Sequence, residues 1–415
     1  MAVRNQNMAR VLLSLGAVVL AGLVAMKPAA TDIGTPARAT PQALYGVNWQ
    51  GSLGLVRLNR DTLRPIGERR VRLAAEPLGW SFAPDRSRLV LGSTAKGAKL
   101  RLIDLRAMRA LGDVRVADRG SGIATTWAGP RRVLAVVVTP GCCGAGDTIV
   151  AGVDTGRRQV VWRRTLGGSL QAGERWRSGL LLALGPSGRS VGPSRLVWIG
   201  PRGRTRVTSL PEIRSGSAPD GSVTQSWNPG LAVDRRGARA FIVQANAPLA
   251  EVDLRTFGVR SHRLERPARA SDAVVGPTRH ALWLGHGLLA ITGFDSHSSG
   301  EDPAGLTIVD TRSWRTRAID QRTTDAALVS GTLLASSFLG TRASGNGLTG
   351  YSLTGARRWH RFGSNPIWGV QPIGRNALVG GPSRSALIEA ATGRQLRRFR
   401  RFTTSVLAAD SPFHY

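Results

Sequence analysis

Lysine and cysteine are nearly missing from this chain. Among 57 Lys and Arg only Lys27, Lys96 and Lys99 are lysine, and Cys142 and Cys143 are the sole cysteines in 415 residues. Two adjacent cysteines exclude a disulfide framework and the paired-cysteine spacing of a zinc site. Acidic residues are few, 26 in all, which leaves a formal charge of +31. Histidines 262, 280, 286, 360 and 414 lack a closely spaced partner, which argues against zinc. Neither a Gly-x-Ser-x-Gly elbow nor a Gly-x-x-x-x-Gly-Lys phosphate loop is present. After residue 26 there is no long apolar run. What is abundant is glycine, 51 residues, with 22 prolines and 42% hydrophobic residues. Such a composition favours a sizeable core built from short elements joined by many turns.

The charge is an arginine coat dispersed over every segment. A specific nucleic-acid binder concentrates its cations on one stripe or helix, so no specific nucleic acid is expected. The densest group, Arg397, Arg398, Arg400 and Arg401, reads as one solvated outer strand. Dispersed charge still produces a long-range field, so salt-sensitive attraction to anionic polymers or a membrane surface is expected alongside any specific partner.

Arg4 and Arg10 precede the apolar run Val11 to Met26, and Pro28-Ala29-Ala30 follows it. Residues 1–30 therefore read as a secretory signal peptide or, with Lys27 in the cleavage region, as an uncleaved N-terminal membrane anchor. Both place the remainder outside the cytoplasm, secreted or tethered at the cell envelope. No cysteine stands directly after the run, which excludes lipoprotein attachment. Residues 31–43, with Thr35-Pro36 and Thr40-Pro41, read as a flexible linker.

From residue 44 to 415 one pattern repeats: two apolar strands, a loop, a third strand ending in a polar turn, and a more exposed fourth strand. The turns fall at Asp104, Asp154, Asp253, Asp310 and Glu389, with weaker copies at Arg57, Ile199 and Ser352. The first two strands of each unit are expected over Trp80 to Gly92, Ile123 to Thr139, Trp176 to Leu184, Leu231 to Gln244, Ala273 to Thr292, Ala327 to Phe338 and Ile367 to Gly380. The missing strand of the first unit is supplied by Thr404 to Asp410. The expected fold is an all-β propeller of four-stranded blades, closed by pairing the C-terminal strand with the N-terminal blade. Eight blades of about 46 residues fit the usual 40–50 better than seven of about 53, the alternative.

Two motifs resemble known families. "SFAPDRSRLVLGS" resembles the turn of tryptophan–aspartate-type and related bacterial propellers, in which Asp85 would close the first hairpin. "GVDTGRRQVVW" and "EAATGRQLRRF" resemble the Asp-x-x-Thr-Gly-x-x-x-Trp repeat of quinoprotein-like (PQQ-type) propellers. That resemblance implies a Thr-Gly turn between the outer strands and a tryptophan, here Trp162, packed between blades. It fixes fold far more than function, because propellers host enzymes, sensors and scaffolds alike.

In such a fold the second-to-third-strand loops and the inter-blade loops share one face. The unusual segments gather there: residues 139–147, 185–194, 294–305 and 339–347, and the long connection 210–229. Cys142 and Cys143, flanked by glycines, are expected to form a vicinal disulfide that stiffens its loop. Some quinoprotein alcohol dehydrogenases carry such a disulfide beside their cofactor, but the calcium ligands and catalytic aspartate of that family have no counterpart placed here. Asp295, Glu301 and Asp302, with His297, form an acidic island offering oxygen ligands to a metal such as calcium, against a plain solvated loop. At the starts of the innermost strands, Glu76, Glu174, Asn228, Asp272, Asp325 and Asn365, with Trp227 and Trp368, would ring a channel mouth suited to a cation or hydroxylated ligand. Most other tryptophans, including Trp283 and Trp314, read as blade packing.

These readings favour an exported, non-catalytic, monomeric propeller that binds a protein or cell-wall glycan on its decorated face, with no cofactor. The alternative is a quinoprotein-like or lyase-type enzyme using the channel-mouth carboxylates, with calcium or a quinone.

Overall fold

The structure, a computed structural model, describes residues 43–48, 52–140, 146–220, 223–264, 275–297, 300–337, 347–363, 365–381, 385–399, 404–407 and 413–414. The expected signal or anchor and nearly all of the linker lie outside these residues. Among those described, no helix is long and apolar enough to cross a membrane.

Eight antiparallel sheets form the eight blades of a propeller, each built on a four-stranded meander. Blade 1 has Thr404–Leu407 innermost, then Leu44–Asn48, Gly54–Leu58 and Pro65–Arg72. Val406 faces Gly46 and Leu407 faces Tyr45, so the chain's two ends close the ring within one sheet, as expected. Blades 2 and 3 begin at Gly79–Phe82 and Gly122–Gly129, blade 4 at Leu170–Trp176, and blade 5 at Gly230–Asp234. Blades 6, 7 and 8 begin at Gly276–Gly285, Asp325–Val329 and Gly369–Ile373.

The core is segmented in a way that fixes the blade count at eight. Eight apolar clusters form, one at every boundary between successive blades, including the boundary between blades 8 and 1. The period of two explains how one strand serves two boundaries. In the second strand of blade 3, Val133, Ala135 and Val137 pack toward blade 2, while Leu134, Val136 and Val138 pack toward blade 4. Both faces are buried, hence the unbroken apolar run. The outer strands face water on their edge and read differently: Pro65–Arg72 is exposed at all positions but one.

The eight expected turn sites all sit at or near the ends of third strands. Asp104, Asp154, Asp253 and Asp310 each accept backbone N–H groups two or three residues on, through Oδ1 in every case. These bonds hold the four carboxyls below the usual aspartate range. In blade 1 the corresponding cap is Asn59, whose Oδ1 accepts from Asp61 and Thr62, and not the neighbouring Arg57. Asp85 closes the first hairpin of blade 2 as expected, accepting from the N–H and the hydroxyl of Ser87.

Two departures alter the picture of the decorated face. The inner strand of blade 4 is Leu170–Trp176, so the strand expected to start at Trp176 ends there. Within the segment 210–229, residues 210–220 and 223–227 are β strand in place of a loop: the outer strand of blade 4 is Thr205–Asp220, and Val223–Trp227 pairs back on it. The fifth strand of blade 6 is a similar addition, Gly300–Pro303 folded back on Leu288–His297.

Candidate functional face

Antiparallel pairing puts the start of every inner strand, the second-to-third-strand loops and the inter-blade connections on one face. Glu76, Trp227, Asn228, Asp325, Asn365 and Trp368 all lie there, just before or at the first residues of inner strands. Asp272 lies outside the described residues. Glu174 is a correction: as the fifth residue of Leu170–Trp176 it sits near the opposite end of its strand, beside the hairpin to the second strand. The Gln171-Ala172-Gly173 stretch lacks the branched residues that mark a strand, which is why the sequence pattern starts late there.

The residues at this face are engaged in local structure. Asn228 donates from Nδ2 to Thr278 Oγ1 at 3.1 Å and to Ser226 Oγ at 3.3 Å. Its backbone N–H reaches Pro277 O, and Arg279 N–H reaches Asn228 O, so the chain leaving blade 4 is laced to the inner strand of blade 6. Trp227 lies under the Arg214 guanidinium, 5.9 Å from its ring centre. Asp325 is buried and accepts the N–H of Ala326 at 2.8 Å. Asn365 closes a turn by donating to Phe362 O at 2.7 Å. Glu76 is exposed, and Trp368 is 41% exposed, a large apolar side chain available at this face. A cleft of about 110 Å³ nearby is lined by Phe362, Asn365, Ile367, Val379 and Arg398 among others. That is below the size of usual small-molecule sites, about 300–1,000 Å³.

The acidic island resolves into two roles. Asp295 pairs with Arg279 at 2.6 Å, and the arginine side chain is wholly buried. The same guanidinium donates to Thr278 O and Phe294 O. Asp295 and Asp302 are cross-strand partners, whereas Glu301 faces Ser296 one register position away, on the other side of the hairpin. Period-two alternation therefore separates the three carboxylates expected to share a metal. His297 Nε2 lies 3.3 Å from Asp302 Oδ2. Among the described residues no group of three or more His, Cys, Asp or Glu converges to hold a metal ion.

Cys142 and Cys143 lie outside the described residues. The neck of their loop is described: Thr139 N–H and Oγ1 both donate to Asp147 O at 2.9 Å. Asp147 Oδ1 accepts from Gly168 N–H and from Ser187 Oγ, each at 2.9 Å. One carboxylate thus ties the cysteine-loop neck to the connection into blade 4 and to the next decorated loop. Sequence reading passed over Asp147; its position at the loop's end, directly before an apolar strand, was the available signal.

Glu174 has its own chemistry. The residue keeps partial solvent access, yet protein crowding around its carboxyl pushes the pKa up to about 7, with Arg235 and the Arg175 N–H pulling the other way. This carboxyl lies near the hairpin end of its strand, away from the decorated face.

No protein-family model matches this sequence, and neither does any curated protein. Solved structures do match in fold. The chain is similar to the dihydro-heme d1 dehydrogenase NirN in complex with DHE, at TM-score 0.61 and 13% identity, covering 93% of this chain and 80% of that one. It also aligns with BamB from Moraxella catarrhalis at TM-score 0.49 and 12% identity, over 79% of this chain and 91% of that one. With hydrazine synthase from Kuenenia stuttgartiensis the TM-score is 0.45 at 12% identity, over 82% and 90%. The likeness to NirN shows the propeller fold.

Proposed function

We propose that this protein is an exported, non-catalytic propeller that binds a protein or cell-envelope ligand on its loop-decorated face. The observation that carries this reading is the asymmetry of the two faces. The opposite face is closed by tight turns such as Pro84 to Ser87, whereas the decorated face bears ordered β extensions from blades 4 and 6. Backbone built outward and fixed by side-chain bonds, as at Asn228 and Asp147, is a preorganised surface. The carboxylates and amides there are engaged in holding it: Asp325 caps, Asn228 bridges and Asp295 balances a buried arginine. NirN, to which this chain is similar in fold, is named a dehydrogenase, so an enzymatic role is the reading to test against. Purified protein should show no stoichiometric metal by elemental analysis and no quinone or haem absorbance. A cofactor present at one equivalent would overturn the non-catalytic reading. The N-terminal sequence of the same preparation reports whether residues 1–30 were removed, which separates a cleaved signal from a retained anchor; export itself is tested by fractionating the cells.

A further inference from the structure

The eight inner strands line the channel, and each has an edge directed into it. In seven blades the inner strand has one partner among the described strands, but Leu170–Trp176 of blade 4 has two. Its second partner is the pair Phe413–His414 from the chain's C-terminal region, antiparallel, with His414 facing Ala172 and Phe413 facing Gly173. The chain thus pairs in blade 1 at Leu407 and on the free edge of the inner strand of blade 4 at Phe413–His414.

An unpaired strand edge offers a row of N–H and C=O groups to any extended chain that reaches it. In blade 4 the paired positions are the two smallest residues of the strand, which leaves room for a second backbone. Among the described residues, two of its seven are covered. A two-residue ladder is a weak hold, maintained by the covalent link that raises the tail's local concentration. A longer segment would pair along more of the same edge. Arg175, in that strand, and Arg235 beside Glu174, within a chain of net charge +31, favour a segment that is neutral or acidic.

We infer that the channel-facing edge of Leu170–Trp176 is a strand-addition site for an extended, neutral or acidic peptide segment of a partner protein, held closed in cis by Phe413–His414. The site lies within the ring, so it stands or falls separately from what the decorated loops bind.

The test uses the full chain with Cys142→Ser and Cys143→Ser, to which Ala172→Cys and His414→Cys are added. Directly paired strand positions are within disulfide reach. Oxidation should form the cross-link, read as a loss of two mass units that reductant reverses. A fluorescent hexapeptide of the chain's own Asp410 to Tyr415 sequence is then titrated, with anisotropy as the readout. The reduced form should bind it at least tenfold more tightly than the oxidised form. Since both forms are the same polypeptide, folding differences do not enter. A second variant, Phe413→Pro with His414→Pro, removes the tail's ladder donors and should bind the peptide at least tenfold more tightly than the parent. Failure of the cross-link to form would refute closure in cis. Equal binding by the open and closed forms, or binding by neither, would refute the strand-addition site.

Discussion

Trp162 lies across Gly152, the residue paired with it in the neighbouring strand of blade 3, so closely that a Cβ on that glycine would stand 2.2 Å from the indole nitrogen. The indole N–H donates to Pro201 O in blade 4 at 2.9 Å, and Gly203 of that turn abuts the other part of the ring. Trp359 repeats the arrangement between blades 7 and 8, with Gly350, Gly393 and Ala390 O in the same places. A tryptophan held between two glycines and bonded to the next blade is a clasp between neighbours.

Gly152→Ala should therefore destabilise the protein by about 1–3 kcal/mol, because the indole must move and the inter-blade bond is strained or lost. Trp162→Phe keeps most of the apolar contact and should cost about 1 kcal/mol for the hydrogen bond. Chemical denaturation of both variants checks the order.

The buried Arg279–Asp295 pair predicts a larger effect. Asp295→Asn leaves a fully buried guanidinium without its carboxylate and should cost about 3–5 kcal/mol. Replacing both, Arg279→Met with Asp295→Asn, should recover a substantial part of that loss. A double-mutant cycle measured by urea denaturation would show the coupling, and strict additivity would contradict it.

Glu174 predicts a pH dependence of definite sign. Its folded pKa of about 7 lies above the ordinary glutamate value of 4.5, so the unfolded chain releases the proton first. The native state is penalised as pH rises from about 4.5 to about 7, and the penalty is complete above that. At full burial a shift of this size corresponds to roughly 3–4 kcal/mol, an upper bound because the residue keeps some solvent access. Glu174→Gln should flatten the stability–pH profile across that window and be more stable than the parent at pH 8. An unchanged profile would show that the carboxyl is solvated.

Asp147→Ala removes the acceptor shared by Gly168 and Ser187 while sparing the Thr139 contacts, which use its backbone. Hydrogen exchange should accelerate at Gly168 and through the cysteine loop, with global stability changed by no more than about 1–2 kcal/mol.

The sequence carried the fold wherever the period-two pattern and turn chemistry agreed. Asp154 with Trp162, and the closing strand at Val406 and Leu407, were legible because each is a local signal repeated around the ring. The arm through Pro211, Gly216 and Pro219 was not, since those residues punctuate a chain that pairing nevertheless keeps extended. The candidate site was legible in position for Asn228, Asp325 and Trp368, which do lie on the decorated face. The partners of Asn228 and Asp295 were not, because Thr278 and Arg279 lie on another strand or blade, and side-chain pairing across blades leaves no trace in local spacing. Glu174 was misplaced for a related reason: its inner strand, Leu170–Trp176, has none of the β-branched residues that announce one.

Ligand binding on the decorated face is open to site-specific photo-crosslinking in cells. A photoreactive residue at Trp368, exposed on that face, should give a discrete adduct, and one at Arg236, exposed in the turn that opens blade 5 on the opposite face, should give none. Adducts from Arg236 alone, or from both positions equally and lost at high salt, would contradict the account.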